Sequence, residues 1–127
     1  MDDQDFVPDP TAYNPTISEL IKESYDTAKS HGFWDGDDKP NIAEKIALMH
    51  SELSEALEDV RSGQLVSEIY YTVEYRNGKP EGVPVELADL LIRVFDFCGY
   101  YDVPLVEALR VKMEYNKDRP RKHGKEF

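Results

Sequence analysis

The chain has 127 residues, enough for one domain and one modest core. Its formal net charge of −11 excludes broad binding to nucleic-acid polymers or anionic membranes, which need a positive footprint. A small phosphorylated ligand stays open if metal ions supply the positive charge. The single cysteine, Cys98, excludes an internal disulfide.

Residues 1–14 are rich in Asp and read as a loose N-terminal arm, with the folded domain over 15–127. The acidic start carries no apolar run, so no signal peptide is expected. No segment approaches the roughly 20 apolar residues of a membrane span. Together these predict a cytoplasmic protein with no membrane partner.

A first helix is predicted from about Pro15 to Ser30, with apolar Ile17, Leu20, Ile21 and Ala28. Either Asn14 caps it with Pro15 at the first helical position, or Thr16 and Glu19 form a capping box. His31-Gly32 ends it. Residues 33–40 form a loop carrying Phe33 and Trp34. Asn41 with Glu44 then starts a second helix that runs to about Ser62, with Gly63 as its stop. Its stripe is Ile42, Ile46, Met49, Leu53, Ala56 with Leu57, and Val60, the best helical periodicity in the chain.

Glu68 to Tyr75 alternate and lead to Asn77-Gly78, which reads as a short strand and turn. Pro80 and Pro84 argue against a full hairpin. A third helix is expected from near Pro84 to near Gly99, with stripe Leu87, Leu90, Leu91, Val94, Phe97 and Cys98. A fourth begins near Pro104, carries Leu105, Leu109 and Tyr115, and ends before Pro120. The whole is an all-α bundle of four helices with a short extended insertion between the second and third.

Two motifs carry chemistry: Glu52-x-x-Glu55 on helix 2 and Glu86-x-x-Asp89 on helix 3. Residues three apart share a helix face, so each pair can grip one cation. Taken singly, such pairs are common on solvated helix faces. At about 100° per residue, Glu52 and Glu55 sit roughly 90° and 150° from the centre of their stripe. Glu86 and Asp89 have similar offsets in the same sense. If the helices pack stripe to stripe and antiparallel, all four carboxylates meet on one edge. Like charges gathered this way repel and raise each other's pKa unless a counter-ion is present. An all-oxygen set suits Mg²⁺ or Mn²⁺ rather than zinc. A di-iron site of the ferritin type would need Glu-x-x-His pairs, which are absent. His50, on the far side of helix 2, reads as structural.

Seven of the 15 Lys and Arg fall between Arg110 and Lys125. Lys112, Asn116 and Arg119 share one helical face and are candidates to contact phosphate. Basic residues near a helix C-terminus also favour its dipole, which accounts for some of them. Trp34 either stacks on a nucleobase or plugs the end of the bundle. Cys98 reads as core packing.

With these residues in place, the chain resembles the MazG-like group of all-α nucleoside triphosphate pyrophosphohydrolases. The text "LMHSELSEALEDVRSG" (48–63) is similar to that family's first metal helix, and "VELADLLIRVFDFCG" (85–99) to its second. "KMEYNKDRPRKHGKEF" (112–127) resembles the tail of many small members. Two features depart from the pattern. Ser51 stands where many members carry an additional acid, and the 64–82 stretch is longer than the tight connection of the smallest ones.

The resemblance implies Mg²⁺ (or Mn²⁺) held by Glu52, Glu55, Glu86 and Asp89, with Glu55 and Glu52 as catalytic carboxylates. It also implies Lys112, Asn116, Arg119 and Trp34 as substrate contacts, and a homodimer or homotetramer with sites completed across the interface. The expected reaction is hydrolysis of a nucleoside or deoxynucleoside triphosphate to monophosphate and pyrophosphate. Two other readings stand beside it. One is a pyrophosphohydrolase for another phosphorylated metabolite, such as a phosphoribosyl-nucleotide. The other is a non-enzymatic acidic helical module that binds a basic protein.

Overall fold

The computed structural model describes residues 12–36, 41–73 and 78–127. The predicted arm lies almost wholly outside these residues, as do Tyr75, Asn77 and part of the loop before helix 2.

The helices form where local signals place them. α1 spans Ile17–Ser30 behind a complete capping box: the Thr16 hydroxyl accepts from the Glu19 N–H, and the Glu19 carboxylate accepts from the Thr16 N–H. Thr16, not Asn14, is therefore the cap, and Pro15 lies outside the helix. α2 spans Ile42–Arg61, with the Asn41 side chain accepting from the Glu44 N–H. Gly63 follows at φ +88°, a left-handed conformation that favours glycine at a helix exit.

The insertion forms a small hairpin that Pro80 had argued against. β1 (Tyr70–Thr72) pairs antiparallel with β2 (Lys79–Glu81), with Tyr71 opposite Pro80. The sheet has two strands only, so Pro80 lies on an edge strand and its missing N–H need break no ladder bond. Gly82 then turns the chain into α3. A Cβ at this position would lie 2.3 Å from the Glu68 carbonyl oxygen, so only glycine fits.

α3 spans Val83–Tyr101 with Pro84 in its first turn. It runs past Gly99, the expected stop, and ends at Asp102 in the left-handed conformation. Gly99 has a packing role instead. A Cβ there would lie 2.7 Å from Cβ of Tyr25, so its absence lets α1 approach α3 closely.

α3 is the central element, with α1 and α2 both packed against it. Phe95 lies off the expected apolar stripe, yet it is buried with Val83 and Cys98, because a central helix covers more than one face. α4 (Leu105–Lys117) adds little to this packing and is followed by a short 3₁₀ turn, Arg121–Gly124. The close-packed unit within one chain is thus three helices, and the expected four-helix bundle is not completed by α4. Among the described residues, no helix is long and apolar enough to cross a membrane.

α2 presents a different face from the one its apolar stripe suggested. Its buried residues are Glu52 and Ala56, whereas Ile46, Leu53, Leu57 and Val60 remain 43–57% exposed. On α3, Leu87, Leu91 and Ile92 are similarly uncovered, as are Val106, Met113 and Tyr115 on α4. This is far more exposed apolar side chain than scattered surface residues account for.

Candidate metal and anion site

α2 and α3 run antiparallel, as their cross-helix pairs show. Lys45 lies near Asp96, Glu52 bonds Arg93, and Glu55 lies near Glu86, so rising numbers on one helix meet falling numbers on the other. This brings the four predicted carboxylates together. Carboxylate oxygens of Glu52, Glu86 and Asp89 lie within 4.8 Å of one another. Glu55 lies beside them, near enough to help raise the pKa of Glu86, and lines the second cleft with it. They converge although the helices do not pack stripe to stripe: Glu52 sits on the buried face itself.

The electrostatics follow from that crowding. Glu86 is pushed up from 4.5 to about 7, first by desolvation, then by its hydrogen bond to Glu55, then by the charges of Glu55, Asp89 and Glu52. Asp89 is also raised, chiefly by desolvation and the Glu52 charge, with Arg93 and Lys79 acting against the rise. One Glu86 oxygen, Oε2, is buried with no hydrogen-bond partner. A cluster of hard oxygen donors with an unpartnered buried oxygen fits a small divalent cation such as Mg²⁺ or Mn²⁺.

Two clefts meet at the cluster. The first, about 550 Å³, is lined by Glu52, Asp89, Arg93, Asp96, Trp34 and Lys45, with α1 closing its other side. The second, about 470 Å³, is lined by Glu55, Glu86, Glu58, Asp59, Tyr70 and Lys79. The hairpin thus contributes to the site, since Tyr70 donates to Asp59 at 3.4 Å and β2 brings Lys79.

Arg93 is the residue that sequence reasoning missed. Its Nε donates to Glu52 Oε1 at 2.7 Å, and the Glu52 side chain is only 9% exposed. The signal was present in the spacing. Glu86, Asp89, Arg93, Asp96 and Tyr100 follow one another at intervals of three and four, so they line one face of α3.

Trp34 lines the first cleft with most of its ring occupied. It stacks on Tyr100 with centroids 3.8 Å apart and planes 7° apart. Lys45 Nζ lies 4.5 Å from the ring centroid, and Nε1 donates to Asp96 Oδ1 at 2.7 Å. Trp34 is thereby tied to both α2 and α3. Asp96 is raised by burial, with the Trp34 hydrogen bond opposing the rise.

Lys112, Asn116 and Arg119 line neither of these two clefts. Lys112 and Asn116 lie on α4, but Arg119 falls beyond its end at Lys117, so the expected shared helical face is not formed by all three. Lys112 Nζ and the Arg119 guanidinium lie 4.9 and 5.4 Å from the Tyr115 ring centroid, and Asn116 Oδ1 is buried without a partner. His50 is exposed, not buried. Ser51 bonds back to the Leu48 carbonyl at 2.6 Å, a use of its hydroxyl within the helix. Cys98 is buried and free, and burial raises its thiol pKa.

Comparison with protein-family models, curated proteins and solved structures finds no match to this chain.

Proposed function

We propose that this chain is a Mg²⁺-dependent pyrophosphohydrolase of the MazG-like type, acting on nucleoside or deoxynucleoside triphosphates. The observation that carries the reading is the convergence of Glu52, Glu86 and Asp89 within 4.8 Å, with Glu55 near Glu86, beside a cleft of nucleotide size. Four carboxylates on two facing helices are costly to assemble, and a divalent cation offsets that cost.

Glu52, Glu55, Glu86 and Asp89 would hold Mg²⁺, with Mn²⁺ as a substitute. The metal would neutralise phosphate oxygens and lower the pKa of a bound water. Hydrolysis breaks the bond between the α-phosphorus and the bridging oxygen. Water adds to phosphorus, pyrophosphate leaves with the bridging oxygen, and the monophosphate keeps the water oxygen. Glu55 is the exposed member of the set and takes the role of proton acceptor. Lys45 and the aromatic wall around Trp34 line the space for the rest of the nucleotide.

The uncovered apolar faces of α2, α3 and α4 support a homodimer or homotetramer, since a second copy would remove Leu53, Leu57 and Met113 from water. The resemblance to the MazG-like group implies that Lys112, Asn116 and Arg119 contact the substrate at a site completed across the subunit interface. The decisive experiment is pyrophosphate release from a panel of NTPs and dNTPs with Mg²⁺, for wild type and Glu55→Ala. Release by the wild type and its loss in the variant support the reaction. No release from any nucleotide with Mg²⁺ or Mn²⁺ refutes it.

A further inference from the structure

We propose that Arg93 is the resident counter-ion of the carboxylate cluster, that a divalent cation displaces its guanidinium from Glu52, and that the freed guanidinium joins Lys45 as an anion contact in the first cleft. The inference rests on the reading of the cluster as a metal site, and it assigns to that site a built-in exchange of cations.

The Glu52 residue is 7% exposed, too buried to rely on water for compensation. Among the described residues, Arg93 is the one cation that forms an ion pair with it, at 2.7 Å. The same guanidinium lowers the pKa of Asp89 and of Asp96, so it neutralises a stretch of α3 as well as Glu52. A hard dication bound by Glu52 competes with Arg93 for Oε1, the oxygen that Arg93 now engages.

The geometry makes the displacement feasible. Arg93 reaches Glu52 through Nε and one carboxylate oxygen. The Arg110–Glu107 pair, in contrast, uses two guanidinium nitrogens on two oxygens. A one-point contact leaves part of the planar fork unengaged and is easier to break. The Arg93 side chain is 40% exposed and lines the same cleft as Lys45, so it has space to turn toward a ligand there. With the metal in place, the cleft would hold two cations, Lys45 and the Arg93 released from Glu52, beside the carboxylates. A pyrophosphate group is the matching ligand class, because planar guanidinium recognises paired phosphate oxygens. Metal and anion then favour each other's binding, because each settles one partner of the broken ion pair.

A purely structural role, in which Arg93 only orients Glu52 for the metal, predicts the opposite sign. The test is calorimetric titration of the full chain with Mg²⁺, followed by inorganic pyrophosphate at saturating Mg²⁺, for wild type, Arg93→Gln and Arg93→Lys. Fluorescence of Trp34, the sole tryptophan, gives a parallel readout from the same cleft. Arg93→Gln should bind Mg²⁺ about five-fold more tightly than wild type, since a competing charge is gone. It should bind pyrophosphate about ten-fold more weakly, with Arg93→Lys recovering part of that loss. If Arg93→Gln does not fold, Arg93→Lys carries the metal test, with a smaller gain in Mg²⁺ affinity. Unchanged or weaker Mg²⁺ binding by the folded variant, with normal binding by wild type, overturns the exchange and leaves the metal reading standing. Unchanged pyrophosphate affinity overturns the anion contact. No Mg²⁺ uptake by either protein overturns the metal reading and this proposal together.

Discussion

Replacing Glu86 by Gln should stabilise the metal-free protein at slightly alkaline pH and remove most of its stabilisation by Mg²⁺. Glu86 is raised from 4.5 to about 7 in the fold, so the folded state holds this proton more tightly than the unfolded chain. The resulting penalty is absent below about pH 4.5, grows through the interval, and is complete above about pH 7. At about 1.4 kcal/mol per pH unit, the rise corresponds to roughly 3 kcal/mol. Solvent reaches part of this carboxylate, and screening reduces the measurable figure to about 1–2 kcal/mol. Gln keeps the shape and the capacity to hydrogen-bond Glu55 but cannot ionise. For a domain of this size the gain is roughly 3–8 °C in Tm at about pH 8. At about pH 5 it should nearly vanish.

The assay is thermal unfolding of wild type and Glu86→Gln in chelator, from about pH 5 to pH 8.5. A second series adds Mg²⁺ to about 10 mM. A wild-type dissociation constant near 1 mM would give about 1.4 kcal/mol of stabilisation there, because the ion binds only the folded form. A Glu86→Gln protein no more stable than wild type at about pH 8 would refute the repulsion argument. A Mg²⁺ response that survives in Glu86→Gln would remove Glu86 from the metal set.

Three further outcomes follow from the packing. Trp34→Phe keeps the stack on Tyr100 but leaves the half-buried Asp96 carboxylate without its donor. It should cost about 1–2 kcal/mol by urea denaturation. Gly99→Val places a side chain against Tyr25 and forces α1 away from α3. A loss of about 1–3 kcal/mol is expected, and a neutral effect would mean that the helix contact is not close. Leu57→Lys should leave the chain folded by circular dichroism but reduce its sedimentation coefficient, because this residue is 57% exposed within one chain. Unchanged sedimentation would place the subunit contact elsewhere or make the protein a monomer.

The amino-acid sequence by itself determined the features that depend on neighbours a few residues apart. Thr16 with Glu19 and Asn41 with Glu44 start helices because each pair satisfies backbone N–H groups locally. The spacing of Glu52 with Glu55 and of Glu86 with Asp89 put each pair on one face, which no tertiary contact was needed to decide. Their convergence was expected from stripe-to-stripe packing, and it comes about differently, with Glu52 on the buried face of α2.

Only the tertiary structure decided which face of each helix goes inside. Hydrophobic periodicity marks the surface that avoids water, but it does not say what covers that surface. On α2 the apolar stripe of Leu53 and Leu57 is left outside, while Glu52 and Ala56 enter the contact with α3. On α3 two neighbouring helices bury Phe95, which a one-faced pattern had left out. The role of Arg93 was hidden for the same reason. The spacing of Arg93 from Glu86 and Asp89 puts it on their face of α3, but its pairing with Glu52, 41 residues away, depends on where the two helices meet.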